Sequence, residues 1–174
     1  VTLGGSSLVP SHISRQKKLR YFLERNMPLT SLRMNADTVG RYAREIARFR
    51  PSFLRGYPSS LFILAHHVRE HGLGGIAPRG VFTTAETLLP SHRAYIEDVF
   101  RCRVYDQYGC RDGGVVAMEC PEHTGYHVSS EQSIIELIRD DASVNAGELG
   151  EITSTDLNNY VMPFIRYRTG DTAT

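Results

Sequence analysis

Between residues 50 and 108 the chain changes its hydrophobic period repeatedly: the extended runs Phe53 to Tyr57, Gly80 to Thr84 and Arg103 to Gln107 are separated by stretches with helical spacing. Such an alternation buries its apolar side chains by laying strands side by side beneath helices. It therefore predicts an α/β fold, a parallel sheet flanked by helices. The helical stretches carry their own start and stop signals. Asn35 or Asp37 can cap a helix running to about Phe49, with Val39, Tyr42, Ala43 and Ile46 on one face and Pro51 just past its end. Pro58 and Ser59 open a second helix whose apolar face is Leu61, Leu64, Ala65 and Val68, and Gly72 fits its C-terminal stop. Ser91 to Phe100 reads as a third helix, and the first third of the chain as helical in pattern.

Beyond Gly113 the texture changes to short extended pieces, Val115 to Glu119, Tyr126 to Ser129, Ile134 to Arg139, Leu149 to Ser154 and Phe164 to Tyr167. Turn-rich segments such as His123-Thr-Gly125 and Asn145-Ala-Gly147 join them. The expected organisation is an α/β portion over residues 1–113 followed by a small β-rich, barrel-like subdomain over residues 114–174.

Charge narrows the classes of partner. Twenty Lys and Arg against 19 Asp and Glu give no basic field for gripping nucleic acid or an anionic membrane by charge alone. Small-molecule ligands are expected, with no nucleic acid and no membrane. No apolar run approaches the roughly 20 residues that span a bilayer, and no charged-then-apolar start resembles a signal peptide, so a cytoplasmic protein is expected. Three cysteines, Cys102, Cys110 and Cys120, point to reduced thiols or metal ligation rather than a disulfide framework. Val1 in place of an initiator Met suggests a portion of a longer protein.

Four clusters could carry chemistry. Thr83-Thr84-Ala85-Glu86 follows a strand, where open parallel sheets bind ligands, and reads equally as a strand end with a helix cap. In Asp106-Gln-Tyr108-Gly109-Cys-Arg111-Asp112-Gly113-Gly114 the glycines admit close backbone approach, Tyr108 offers a stacking face, and Arg111 and Asp112 supply both signs of charge. Asp171 in Arg166-Tyr-Arg168-Thr-Gly170-Asp171 can accept two hydrogen bonds from a vicinal diol such as ribose, or serve a plain turn. Cys120-Pro-Glu-His123-Thr-Gly-Tyr-His127 holds zinc-type ligands, though a buried thiol and exposed imidazoles explain it as well. His67 and His71 lie four apart and could ligate a metal, yet the run His66 to His71 reads as a solvated helix face. Ser59 and Ser60 lack a Gly-x-Ser-x-Gly frame and read as helix caps.

The order Thr84-Ala85-Glu86, Tyr108-Gly109-Cys-Arg111-Asp112, Gly147-Glu-Leu-Gly150-Glu151 and Met162-Pro-Phe-Ile-Arg-Tyr-Arg-Thr-Gly170-Asp171 resembles the adenylate-forming enzyme superfamily. Within it the pattern is similar to the phenylacetate-coenzyme A ligase branch, including its relatives associated with capsular polysaccharide biosynthesis. The resemblance runs from about residue 35 to the end. It implies an ATP-dependent ligase that joins a carboxylate to AMP and passes the acyl group to a thiol, with coenzyme A as a possible co-substrate. Thr84, Ala85 and Glu86 would line the adenine pocket, Tyr108 and Gly109 would meet the base, and Asp171 would hold the ribose hydroxyls. Arg111 would stand near the phosphates, and Asp112 stands where the family usually has a Mg²⁺-associated Glu; both are the implied catalytic residues. Cys120 and His127 have the spacing of half a structural zinc site. The family's phosphate loop is not matched by Gly4-Gly-Ser-Ser7, which is short and lacks a Lys. The resemblance thus implies a central portion of a ligase that is inactive by itself; the alternative is a non-catalytic scaffold or partner-binding module on the same fold.

Overall fold

The alternation seen from residue 50 onward extends to the N-terminus. In chain order the elements are β1 (Thr2–Gly4), α1 (Arg15–Leu23), β2 (Pro28–Thr30), α2 (Ala36–Phe49), β3 (Phe53–Gly56), α3 (Pro58–Glu70), β4 (Gly80–Thr84), α4 (Pro90–Phe100) and β5 (Arg103–Cys110). They continue with β6 (Val115–Glu119), β7 (Tyr126–Val128), β8 (Ser133–Arg139), β9 (Ala142–Ser143), β10 (Gly150–Asp156) and β11 (Tyr167–Ala173). The structure, a computed structural model, describes residues 1–10 and 12–174. It divides into two units, Val1–Asp106 and Gln107–Thr174. Strand β5 begins in the first and ends in the second.

The first third of the chain differs from the helical expectation, because β1 and β2 flank α1 there. Each is only three residues long, too short for a period of two to show. The order in the first unit is β2-β1-β3-β4-β5, and β1 runs parallel to both β2 and β3, as β3 does to β4. The connections leave β1 and β3 in opposite directions across the sheet. In open α/β sheets the crevice at the carboxyl ends of two such strands is where ligands bind. Here that edge carries the turn after Gly4, the Gly56-Tyr57 step and the Thr84-Ala85-Glu86 step. The hydroxyls of Ser7 and Tyr57 hydrogen-bond to each other along it.

The helices form where their signals place them. Asn35 Oδ1 accepts from Thr38 N at 2.9 Å and Thr38 Oγ1 accepts from Asn35 N at 2.7 Å, a reciprocal capping box at the start of α2. Val39, Tyr42, Ala43 and Ile46 of α2 are buried together with Leu61, Leu64, Ala65 and Val68 of α3, and Val81 of β4 completes the layer beneath. Ile46, Leu61, Leu64, Ala65 and Val81 have no exposed surface.

In the second unit β5, β6 and β7 pair antiparallel. A separate antiparallel sheet has the order β11-β10-β8-β9. The buried apolar residues of this unit include Val115 and Ala117 on β6, Ile138 on β8 and Ile152 on β10. The last strand begins at Tyr167 and not at Phe164, because Arg166 sits in the left-handed region at φ 51° and breaks the extended run before it. Among the described residues no helix is long and apolar enough to cross a membrane.

Candidate functional site

Thr83 to Glu86 lie in the first unit, and Tyr108 to Gly114, Cys120 to His127 and Asp171 lie in the second. In the first unit β4 ends in two buried threonines. Thr83 Oγ1 donates to the buried carboxylate of Asp106 on β5, and Ala85 turns the chain out of the strand with φ 68°. Glu86 is then brought to the N-terminus of α3. That helix has Tyr57 at its cap position without a side-chain hydrogen bond, and Pro58 follows. Ser59 N donates to Glu86 Oε2 and Ser59 Oγ donates to Glu86 Oε1, both at 3.0 Å. The Glu86 carboxylate therefore satisfies an orphan N–H at the positive end of the helix dipole. This corrects the reading of Ser59 as a cap: the serine is the donor, and the cap comes from a different loop 27 residues later.

In the second unit the β5–β6 hairpin pairs Tyr108 with Ala117 and Cys110 with Val115, leaving Arg111 to Gly114 as its tip. The tip is tied to β10, where Ser154 Oγ donates to Gly113 O at 2.6 Å. Gly114 has φ 67°, and a Cβ on it would lie 2.6 Å from Asp156 Cγ. Only glycine fits there. Arg111 and Asp112 are exposed at the tip. An exposed carboxylate of this kind offers hard oxygen to Mg²⁺ directly or through water.

The end of the chain is a bulged strand where a turn was expected. Strand β11 pairs with β10 as Ser154↔Tyr167 and Thr153↔Arg168, then as Glu151↔Thr172 and Gly150↔Ala173. Thr169, Gly170 and Asp171 thus face the single residue Ile152. Gly170 supplies the positive φ, 80°, that the bulge needs. Thr169 Oγ1 closes the bulge by donating to Ile152 O at 2.9 Å and accepting from Asp171 N at 3.1 Å. The extra residues aim Asp171 back toward β5, where Tyr108 Oη donates to Asp171 Oδ2 at 2.8 Å. Burial raises the Tyr108 phenol to about 12, with the hydrogen bond and negative charge of Asp171 adding and the Thr169 hydrogen bond opposing. The phenol is consequently a fixed donor. Arg168 flanks the bulge through Glu151, with Nε 2.7 Å from Oε2, and its guanidinium pulls the Glu151 carboxyl below its ordinary value.

The zinc-type cluster lies on the β6–β7 turn. Met118 pairs with His127, which is exposed, and Cys120 is half-buried in the turn. His123 Nδ1 lies 3.2 Å from Glu119 Oε2, so the carboxylate is directed to that ring. Among the described residues no three His, Cys, Asp or Glu side chains converge closely enough to hold a metal ion. Cys120 and His127 do not by themselves make a zinc site, and no chemical step is assigned to one.

Sequence reasoning brought Tyr108 and Asp171 into one family pattern, and the structure joins them by a hydrogen bond. It missed Thr169, whose hydroxyl closes the bulge, and Ser59, the partner of Glu86. A threonine directly before Gly-Asp is a local signal for the first; nothing in the sequence near Ser59 signals the second.

The architecture described here, a parallel sheet with flanking helices and a separate antiparallel sheet, is the fold of the adenylate-forming ligases. A crystal structure of an open conformation of 2-hydroxyisobutyryl-CoA ligase in complex with 2-HIB-AMP and CoA superposes with a TM-score of 0.74 at 20% identity, over 98% of this chain and 39% of the ligase. In sequence the chain is similar to phenylacetate-coenzyme A ligases. It is 32% identical over 152 residues to the phenylacetate-coenzyme A ligase of Escherichia coli strain K12, covering 82% of this chain and 34% of that enzyme. It is 28% identical over 150 residues to the phenylacetate-coenzyme A ligase of Pseudomonas putida, with the same coverage of each, 82% and 34%. The chain spans about a third of the length of these curated relatives. No family model matches the sequence.

Proposed function

We propose that this chain is the nucleotide-contacting portion of an ATP-dependent, AMP-forming acid–thiol ligase, with coenzyme A as the acyl acceptor. The observation that carries the reading is the β11 bulge, which presents the Asp171 carboxylate beside the aromatic ring of Tyr108 in a chain similar to phenylacetate-coenzyme A ligase. A carboxylate can accept from two vicinal hydroxyls at once, and a phenol ring held in place gives a purine a face to stack on. Asp171 is assigned to the ribose diol, Tyr108 and Gly109 to the base, and Thr84, Ala85 and Glu86 to further adenine contacts. Arg111 and Asp112 are assigned to the phosphates and to Mg²⁺.

The reaction has a clear electrostatic demand. The substrate carboxylate attacks the α-phosphorus of ATP, a P–O bond to pyrophosphate breaks, and an acyl-adenylate remains for attack by a thiol. Two anions must meet, so cationic side chains and Mg²⁺ are needed to neutralise the phosphates while base and ribose contacts fix the geometry. Arg111 is the guanidinium at the hairpin tip available for that role. The chain contains only two lysines, Lys17 and Lys18, both on α1, which leaves the carboxyl edge of the sheet without one. We infer that the chain binds nucleotide but does not turn it over alone.

The diol assignment is tested by comparing AMP with its 2′,3′-dideoxy analogue in binding to the purified chain. The reading expects clearly weaker binding of the analogue, and equal affinities contradict it. A second reading, a non-catalytic module in a polysaccharide-associated protein, is favoured by Asp112 in place of the customary Glu. Pyrophosphate release with any of a panel of carboxylates, by a protein carrying this chain within the full ligase length, removes that reading.

A further inference from the structure

Regular pairing of β10 with β11 stops at Thr153↔Arg168 and resumes at Glu151↔Thr172, and between these pairs Ile152 has no Cα partner on β11. The backbone of the bulge is therefore set by other ties. The half-buried Thr169 hydroxyl donates to Ile152 O at 2.9 Å and accepts from Asp171 N at 3.1 Å, so one side-chain oxygen links the two strands where the ladder is interrupted. Gly170 is held as well, its N–H bonding the Glu151 carboxylate that Arg168 also holds.

Asp171 is exposed, and the direction of its side chain depends on these ties. Its N–H is fixed by Thr169 and its Oδ2 by Tyr108 Oη, 2.8 Å away. The Thr169 hydroxyl also opposes the rise of the Tyr108 phenol, so it bears on both members of the pair. An ionised carboxylate has about four acceptor positions, of which Tyr108 takes one. Enough remain for both hydroxyls of a diol. A hydroxyl is donor and acceptor at once, which a valine of similar shape is not.

We propose that Thr169 is a positioning residue that sets the ribose selectivity of the site: its hydroxyl holds the Asp171 backbone so that the carboxylate meets a vicinal diol. The inference rests on the assignment of Asp171 to the ribose. It adds that the preference for a nucleotide with both ribose hydroxyls is lost with the Thr169 hydroxyl, although Thr169 itself touches no ligand.

The test measures the binding of AMP and of 2′,3′-dideoxy-AMP to the purified chain by calorimetry and reads the ratio of the two affinities. Wild type is expected to favour AMP by about tenfold or more, the order of one hydrogen bond to a charged acceptor. Thr169→Val is expected to bring the ratio to about threefold or less, and Thr169→Ser to keep it. Lost stability alone does not give this pattern, because an unfolded fraction binds neither nucleotide and lowers both apparent affinities by the same factor. If Thr169→Val does not fold, Thr169→Cys is compared with Thr169→Ser, since the two are close in volume and the thiol is the weaker hydrogen-bonding group. Thr172→Val, at an exposed position of the same strand, is expected to leave the ratio unchanged. A wild-type preference that Thr169→Val and Thr169→Cys keep in full overturns the positioning role and leaves Asp171 at the ribose. Equal wild-type affinities for the two nucleotides, or no AMP binding by folded protein, overturn the ribose assignment and the positioning role with it.

Discussion

Tyr108 Oη donates to Asp171 Oδ2 at 2.8 Å, joining a strand that opens the second unit to a bulged strand 63 residues later. The carboxylate assigned to ribose is thus pre-positioned by a phenol that stays neutral, its pKa raised to about 12 chiefly by burial. A folded-state value above the ordinary 10.0 means that the native state favours the protonated form. Its contribution to stability is complete below about pH 10 and is lost as pH rises through about 12. Urea unfolding across that window should show the wild-type chain losing stability more steeply than Tyr108→Phe, which has no proton to lose. Parallel pH profiles for the two proteins count against the geometry.

The hairpin tip makes a sharper steric demand. At Gly114, with φ 67°, an added Cβ would lie 2.6 Å from the Asp156 carboxylate carbon. Gly114→Ala should destabilise by about 1–3 kcal/mol, combining left-handed strain with the clash. Adding Asp156→Ala should recover part of that loss. Denaturation midpoints of the single and double variants check it, and strict additivity would remove the contact from the account.

Glu86 ties one loop to the start of a helix that has no cap of its own. Glu86→Ala should cost about 0.5–2 kcal/mol in the manner of a lost N-cap, with Glu86→Gln retaining most of the stability because its amide oxygen still accepts. Equal stability of both variants and the wild type would show that the cap contributes nothing.

The packing of α3 is tested at Leu64, which has no exposed surface. Leu64→Ala removes three buried carbons and leaves a cavity, so a loss of about 2–5 kcal/mol is expected from urea denaturation. A loss below about 1 kcal/mol would place Leu64 outside a well-packed core.

Much of this was legible in the residues themselves. The α2 and α3 faces, the Asn35 cap and strand Gly80–Thr84 follow from local period and local turn chemistry, and the structure has them there. Strands β1 and β2 were not legible, since three-residue strands draw their identity from neighbours such as Leu54 and Leu29 and not from their own pattern. The end of the chain was misread for a related reason. Arg166, Gly170 and the register shift between Glu151 and Thr153 turn an expected strand and turn into a break followed by a bulge, and a bulge exists only relative to a partner strand. The same holds for His67 in the run His66 to His71, which is half-buried and lies 3.2 Å from where a Cβ on Gly40 of α2 would stand.

The central claim is that Asp171 and Tyr108 contact an adenine nucleotide. Calorimetric titration of AMP into the folded chain tests it most directly. The account predicts weak saturable binding that Asp171→Ala abolishes and that Tyr108→Phe, which keeps the ring but not the bond to Asp171, reduces less. Absence of binding up to millimolar AMP in a folded sample, or binding that Asp171→Ala leaves unchanged, would contradict it.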